Sequence, residues 1–264
     1  MADSDGQGLR KETGSALSKA VSVLSALLQS ERPLSLADLA DRLDLPRQTV
    51  HRVMGQLEDE ALIRRVPGGD GYMVGPAMVD LGIDALAAAG RTAPMQAILE
   101  DLVGEVGETC NVGVLDRDRV VYIARVECDW PLRLQVGVGS RVPIHATAIG
   151  KLLLAHLPSR TRRRIIEARP LEQFTDKTLI NAEGLESQLA TIRRQGYAAN
   201  DEENMVGMMG FAVPINDPQG RVAAGVALHA PKARMTVAAA EAHLAAFQRA
   251  AGRLETFIAD LARD

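Results

Sequence analysis

At 264 residues and 47% hydrophobic, the chain can bury full cores in about two domains, and with aromatics at only 3% those cores must rest on Leu, Val, Ile, Ala and Met. A formal charge of -4 excludes a protein coated in nucleic acid, and two cysteines without a CxxC argue against a disulfide framework. No apolar run has the length of a membrane span and the polar N-terminus carries no secretory signal, so the expected location is cytoplasmic.

Residues 1–14, rich in Gly, Asp and Lys, read as a disordered tail. Ser15 then caps a scaffold helix whose apolar stripe is Leu17, Ala20, Val21, Leu24, Leu27 and Leu28, ended by Glu31-Arg32-Pro33. Ser35-Leu36-Ala37-Asp38 predicts a capping box, and Leu36, Leu39, Ala40 and Leu43 make a helical stripe after it. Asp44-Leu45-Pro46 breaks that helix. Pro46 suits the first turn of the next one, whose inner face is Val50, Val53, Met54, Leu57 and Ala61. Outside it stand Arg47, Gln48, Thr49, His51 and Arg52 with no acid among them, chemistry suited to phosphates and base edges. Ile63-Arg64-Arg65-Val66 and Tyr72-Met73-Val74 flank Pro67-Gly68-Gly69-Asp70-Gly71 and predict a hairpin. The whole reads as a winged helix-turn-helix over 15–75. Over residues 15–70 there are seven Lys and Arg against eight Asp and Glu, a net charge of minus one. Its cations are therefore local to the reading helix and the wing, and binding must be pooled over two subunits.

A linker helix is expected over 76–91, opened by Gly75-Pro76 and carrying Met78, Leu81, Gly82, Ala85, Leu86 and Ala89. A second domain, 92–264, alternates helices and strands. Met95, Ile98, Leu99, Leu102, Val103 and Val106 form a helical stripe. Strands are expected at Thr109 to Leu115, Val120 to Glu127, Leu132 to Val138, Met208 to Ile215 and Arg221 to His229, with a polar turn at 116–119 and a strong turn at Asn216-Asp217-Pro218-Gln219-Gly220. Helices are expected near Thr147, at 160–169, over Ser187 to Arg194, and as one long run from Thr236 to Ala262. The fold class is α+β, with helices around an antiparallel or mixed sheet.

Several chemistries are absent. Gly137-Val138-Gly139 lacks the third glycine of a dinucleotide fingerprint, and Ala148-Ile149-Gly150-Lys151 lacks the opening Gly and closing Ser or Thr of a phosphate loop. Gly139-Ser140 has the wrong spacing for a nucleophile elbow, and His145, His156, His229 and His243 show no metal-clamping spacing. Glu202-Glu203, read as strand neighbours, would point to opposite faces and make a poor acid/base pair. The cluster Arg160, Arg162, Arg163, Arg164 reads as a solvated helix face. No catalytic residue, metal or cofactor is expected.

Three stretches resemble the isocitrate lyase regulator (IclR) family of bacterial transcription factors. They are Leu34 through Arg52 with the wing to Gly75, then Gly139-Ser140-Arg141-Val142-Pro143-Ile144-His145-Ala146-Thr147-Ala148-Ile149-Gly150-Lys151 with Thr175 and Thr178, and Gly196-Tyr197-Ala198 to Glu203, Gly207 and Ala212-Val213-Pro214-Ile215. The resemblance implies an N-terminal winged helix-turn-helix and a C-terminal GAF-like effector-binding domain, in a homodimer or homotetramer on double-stranded operator DNA with an inverted repeat. DNA contacts then fall to Arg47, Gln48, Thr49, His51, Arg52, Arg64, Arg65, Gly68 and Gly69. In the effector cup, the family's carboxylate-gripping amides fall at Ala148 and Ile149, its pocket acid at Asn200 with Glu203 beside it, its Cys at Gly210, and its two Ser at Ala227 and His229. Those replacements predict a wider, drier cup, for a larger organic acid or amide, aromatic ones included, held by His229 and Asn200. The competing expectation is a small-molecule enzyme whose helical head only dimerises it.

Overall fold

The computed structural model describes residues 15–90, 93–130 and 136–261, and its internal contacts separate two compact units, Met1–Gly82 and Ile83–Asp264. The expected tail at 1–14 lies outside the described residues.

The first unit holds α1 (Ala16–Leu28), α2 (Leu36–Leu43), α3 (Arg47–Asp59), β1 (Ile63–Arg65) and β2 (Tyr72–Val74). Ser15 accepts from the amide of Ser18, and Ser35 and Asp38 form the full capping box, each satisfying an amide the helix leaves open. Asp44 takes the left-handed conformation (φ 51°) and ends α2, its amide donating to Ala40 O. Leu39, Val50, Val53, Met54, Leu57, Ile63 and Tyr72 close over Val23 and Leu27. At roughly 1.5–3 kcal/mol for each large apolar side chain, that burial is the main favourable contribution to a head of this size. Two details differ from the periodic reading. Pro46 precedes α3 as its N-cap and Ala61 lies beyond its end at φ 54°. On α1 the buried residues are Val23, Ala26 and Leu27, while Leu17, Val21 and Leu28 of the expected stripe are exposed.

α4 (Pro76–Gly90) follows the hairpin, and the division between the units falls within it. The second unit contains α5 (Ala93–Val106), β3 (Thr109–Asp116), β4 (Arg119–Val126), β5 (Arg141–Pro143), α6 (Ala148–His156), α7 (Ser159–Glu167), α8 (Ala182–Gln195), β6 (Ala198–Asp201), β7 (Met208–Asn216), β8 (Val222–Pro231), α9 (Val237–Ala242) and α10 (Leu244–Leu261). Its six strands run antiparallel in the order β5-β4-β3-β8-β7-β6. Both turn expectations hold. Arg117 supplies the left-handed residue of the β3–β4 hairpin, and Asp217 Oδ1 accepts from the amides of Gln219 and Arg221 at 2.9 Å each.

Registry divides the sheet into two faces. Cys110, Val112, Val121, Ile123, Phe211, Val213, Val226 and Leu228 share one side, where Phe247 of α10 meets Phe211 ring to ring at 5.4 Å. The other side carries Asn111 and Gly113, Tyr122 and Arg125, Gly225, Ala227 and His229, Gly210, and Asn200. α6 lies on it so closely that a Cβ on Gly113 would stand 2.9 Å from Ile149 Cδ1 and one on Gly225 3.0 Å from Ile149 Cγ1.

Three expectations are corrected. Of the strand at Leu132 to Val138, residues 132–135 lie outside the described ones and 136–138 are not extended into a strand; the edge is β5, in the stretch read as a connection. The single closing helix is two, parted at His243. β6 was not foreseen, because Ala198-Ala199-Asn200-Asp201 has no β-prone pattern and is extended by pairing with β7.

Gly75 seals the head. Its amide donates to Leu62 O at 2.8 Å, and a Cβ there would lie 2.1 Å from Ala61 O. Gly75→Ala is expected to destabilise the head by about 3 kcal/mol, since the obstacle is backbone and cannot rotate away. Thermal unfolding followed by far-UV circular dichroism checks this, and an unchanged melting profile would refute it.

Candidate nucleic-acid interface and effector face

In the first unit, α3 turns Val50, Val53, Met54 and Leu57 inward. Arg47, Gln48, His51 and Arg52 are exposed as a consequence, and Thr49 is half-buried between the two sets. No acid sits in the first turn, and Pro46 offers no side-chain cap, so amides at the helix start are left for an anion. In the hairpin, Ile63 faces the core and Arg64 and Arg65 are exposed, joined to β2 through a loop in which Gly68 takes φ 77°. Arg65 is partly committed elsewhere. Its guanidinium lies 5.1 Å over the Tyr72 ring and its Nε 3.6 Å from Glu58. Gly68 and Gly69 are exposed at the tip.

In the second unit, the residues expected around a ligand converge at the start of α6. Thr147 caps the helix by accepting from Gly150 N at 3.1 Å, so the amides of Ala148 and Ile149 are the first-turn donors left without an acceptor inside the helix. A Cβ on Gly210 would be 3.4 Å from Ala148 Cβ and 3.7 Å from His229 Cε1, which puts Gly210, Ala148 and His229 together. Asn200 pairs with Gly210 across the strands, and Ala227 stands between Asn111 and Ala212.

Several residues here were not singled out from sequence. Tyr122 Oη lies 2.7 Å from His229 Nε2, and the two rings meet edge to face. Arg125, its side chain 4% exposed, donates to Asn111 Oδ1 at 2.9 Å. The face is consequently not the drier one that Gly210 and Ala227 suggested; polar groups from β3 and β4 replace those missing from β7 and β8. Their signal in the sequence was a polar residue within each apolar run, Asn111 among Cys110 and Val112 and Arg125 after Ala124, which only the register aligns.

Glu203 is oriented differently from Asn200. It lies beyond β6 in a turn where Glu202 takes φ 63°, so the strand-neighbour reading of Glu202-Glu203 does not apply. Its Oε1 accepts from the ammonium of Lys151, a side chain with no exposed surface, while Oε2 is buried without a partner among the described residues. Asn200 Oδ1 accepts from Glu203 N at 2.8 Å, and Thr175 and Thr178 donate to the carbonyls of Glu202 and Glu203 at 2.7 and 2.6 Å. Burial pulls the Lys151 pKa down and Glu203 opposes that shift. Glu202 points away to Lys177 and Lys232, whose hydrogen bonds hold its carboxyl at about 2. Two further histidines are structural: His145 Nε2 donates to Glu172 O at 2.9 Å, and His156 Nδ1 to Leu152 O at 2.9 Å.

Burial, with Arg125 nearby as the lesser cause, lowers His229 to about 4. His229 is therefore neutral in the fold over a range where the unfolded chain's imidazole takes up a proton. Its contribution is complete above the ordinary value of 6.5 and is lost as pH falls toward 4, roughly 3 kcal/mol over that window. His229→Gln should flatten the stability profile between those limits in urea titrations; an equally steep decline in the variant would show that other groups carry it.

Both units have counterparts among known proteins. Residues 16–67 match the IclR helix-turn-helix domain and residues 85–256 the bacterial transcriptional regulator IclR C-terminal domain. The Cupriavidus necator protein named Probable transcriptional regulator SauR is 42% identical over 229 residues, 87% of this chain and 91% of that one. The Escherichia coli transcriptional repressor IclR is 28% identical, over 84% of this chain and 81% of its own. Among solved structures, a Rhodococcus regulator superposes with a TM-score of 0.64 at 25% identity, covering 93% of this chain and 98% of that one. An IclR homolog from Microbacterium hydrocarbonoxydans, solved with 4-hydroxybenzoate, gives 0.58 at 25% identity, covering 92% and 98%. These relatives are regulators and not enzymes, which sets aside an enzyme with a dimerising head. The chain belongs to the IclR family of ligand-responsive bacterial transcriptional regulators.

Proposed function

We propose that this protein is a cytoplasmic homo-oligomer that binds an inverted-repeat operator through two copies of α3 and releases or retains it according to a small organic acid bound beside α6. The carrying observation is the division of α3 into a buried ridge and an exposed face bearing Arg47, Gln48, His51 and Arg52. Thr49 completes that face, and Arg64, Arg65, Gly68 and Gly69 of the wing take neighbouring phosphates. The working division is a head over 15–75, a connecting helix over 76–91 and an effector domain over 92–264.

For the ligand, the amides of Ala148 and Ile149 suit a carboxylate, and the neutral His229 with Tyr122 suits a hydroxyl or amide further along the same molecule. Asn200, Ala227 and Gly210 shape the wall, and Glu203 acts through Asn200 and Lys151. A hydroxy-substituted acid matches that chemistry, in keeping with the 4-hydroxybenzoate of the Microbacterium relative. Such an acid shifts DNA affinity only by binding one arrangement of the protein better than the other.

Oligomerisation has its own support. Leu17, Val21 and Leu28 are 74%, 54% and 57% exposed and, with half-buried Leu24, recur along α1 at the spacing of a helix–helix seam. That exposed stripe is suited to a second copy of the chain.

On DNA flanking its own gene, the protein should give a sequence-specific gel shift that Arg52→Ala weakens about tenfold or more with an unchanged dichroism spectrum. A variant binding as tightly as the parent would remove α3 from the interface. The double substitution V21E/L28E should halve the mass seen by sedimentation equilibrium, whereas an unaltered assembly would place the subunit contact elsewhere.

A further inference from the structure

We propose that the outer face of α7 is a second DNA-contacting surface, holding duplex phosphates without reading bases; this rests on the regulator reading above. Sequence alone suggested a solvated run of arginines, and the structure resolves that run into two kinds. Arg162 is buried, donating to Glu186 at 3.0 Å and to Leu157 O at 2.9 Å. Arg160, Arg163 and Arg164 are exposed and have no ion-pair partner among the described residues.

At helical spacing, positions 160, 163, 164 and 167 share one face of α7, whose own carboxylate is Glu167, while Glu183 and Glu186 of α8 line the groove beside Arg163. The face is net positive by two in a protein of net charge -4. Elsewhere in this unit most cations are matched with carboxylates: Arg141 with Asp116, Lys177 and Lys232 with Asp201 and Glu202, Arg234 with Glu108, Arg249 with Glu105 and Arg253 with Asp101. The positive region also extends. Arg193 donates to Ala155 O at 3.0 Å near the end of α6, where Arg162 meets Leu157 O, so the exposed Arg194 beside it belongs to the same end of the domain.

Three further points favour nucleic acid over an acidic polypeptide. The exposed α7 side chains include no large apolar residue, the kind that anchors protein interfaces. All three cations are arginines, whose forks match phosphate oxygens two at a time. Finally, the head is net negative, and Arg65 is shared with Glu58, leaving few cations on the reading surface to displace counterions.

The test is the salt dependence of binding by the full chain, measured by fluorescence anisotropy on a random-sequence duplex of about 60 base pairs and on a fragment upstream of its own gene. For R160Q/R163Q/R164Q, the slope of log K against log [KCl] should become shallower by about two to three per chain on both probes, with affinity near 0.1 M salt reduced about tenfold or more. Preference for the upstream fragment should persist, and R160K/R163K/R164K should restore the parent slope. Arg52→Ala provides the contrast, losing preference while moving the slope by no more than about one. Identical slopes and affinities for parent and glutamine variant would overturn the inference while leaving the regulator reading intact. So would loss of poly-L-glutamate binding alone, which would assign the face to an acidic polypeptide. Failure of the parent to bind either duplex would sink both.

Discussion

The buried ion pair between Lys151 and Glu203 ties the second unit together. An ammonium withdrawn from water costs several kcal/mol unless a carboxylate and hydrogen bonds surround it, so α6 and the β6–β7 turn must be held in one relation. Thr175 and Thr178 restrain that turn from behind, and Asn200 restrains it from the strand. The same helix needs a sheet stripped of side chains beneath it, which Gly113 and Gly225 supply. The first turn of α6 thus belongs to an element already fixed at its middle. A shift there is transmitted to the β6–β7 turn, because a packed interior repacks between discrete arrangements instead of yielding smoothly.

Chemistry on the effector face is divided in a way suited to recognition. Backbone amides of α6 offer a fixed partial positive charge, while His229 and Tyr122 are kept uncharged, since burial lowers the imidazole and raises the phenol. Arg125 and Asn111 stand on the same face, joined to one another.

Much of the head was legible in the sequence because its determinants are local. The Ser35–Asp38 box, the Asp44 break, the α3 ridge and the glycine-rich hairpin each depend on residues within one or two turns of one another. The α1 stripe was read less well. Periodicity marks apolar residues but does not say which partner covers them, so Leu17, Val21 and Leu28 were grouped with the truly buried Leu27.

By itself, then, the sequence determined the family, the α+β class and the helix with its exposed polar residues, while the resemblance pointed to Ala148, Asn200, Gly210 and His229, which the structure brings near one another. Only the tertiary structure decided that Tyr122 and Arg125 lie on the same face of the sheet as His229, that Glu203 faces Lys151, that Ala198 to Asp201 form a strand, and that Arg162 parts company with Arg163. The physical reason is range. Caps, turns and helical faces follow from neighbours in the chain, whereas a contact such as Tyr122 with His229, 107 residues apart, exists only once strand register has been set by the packing of the whole sheet.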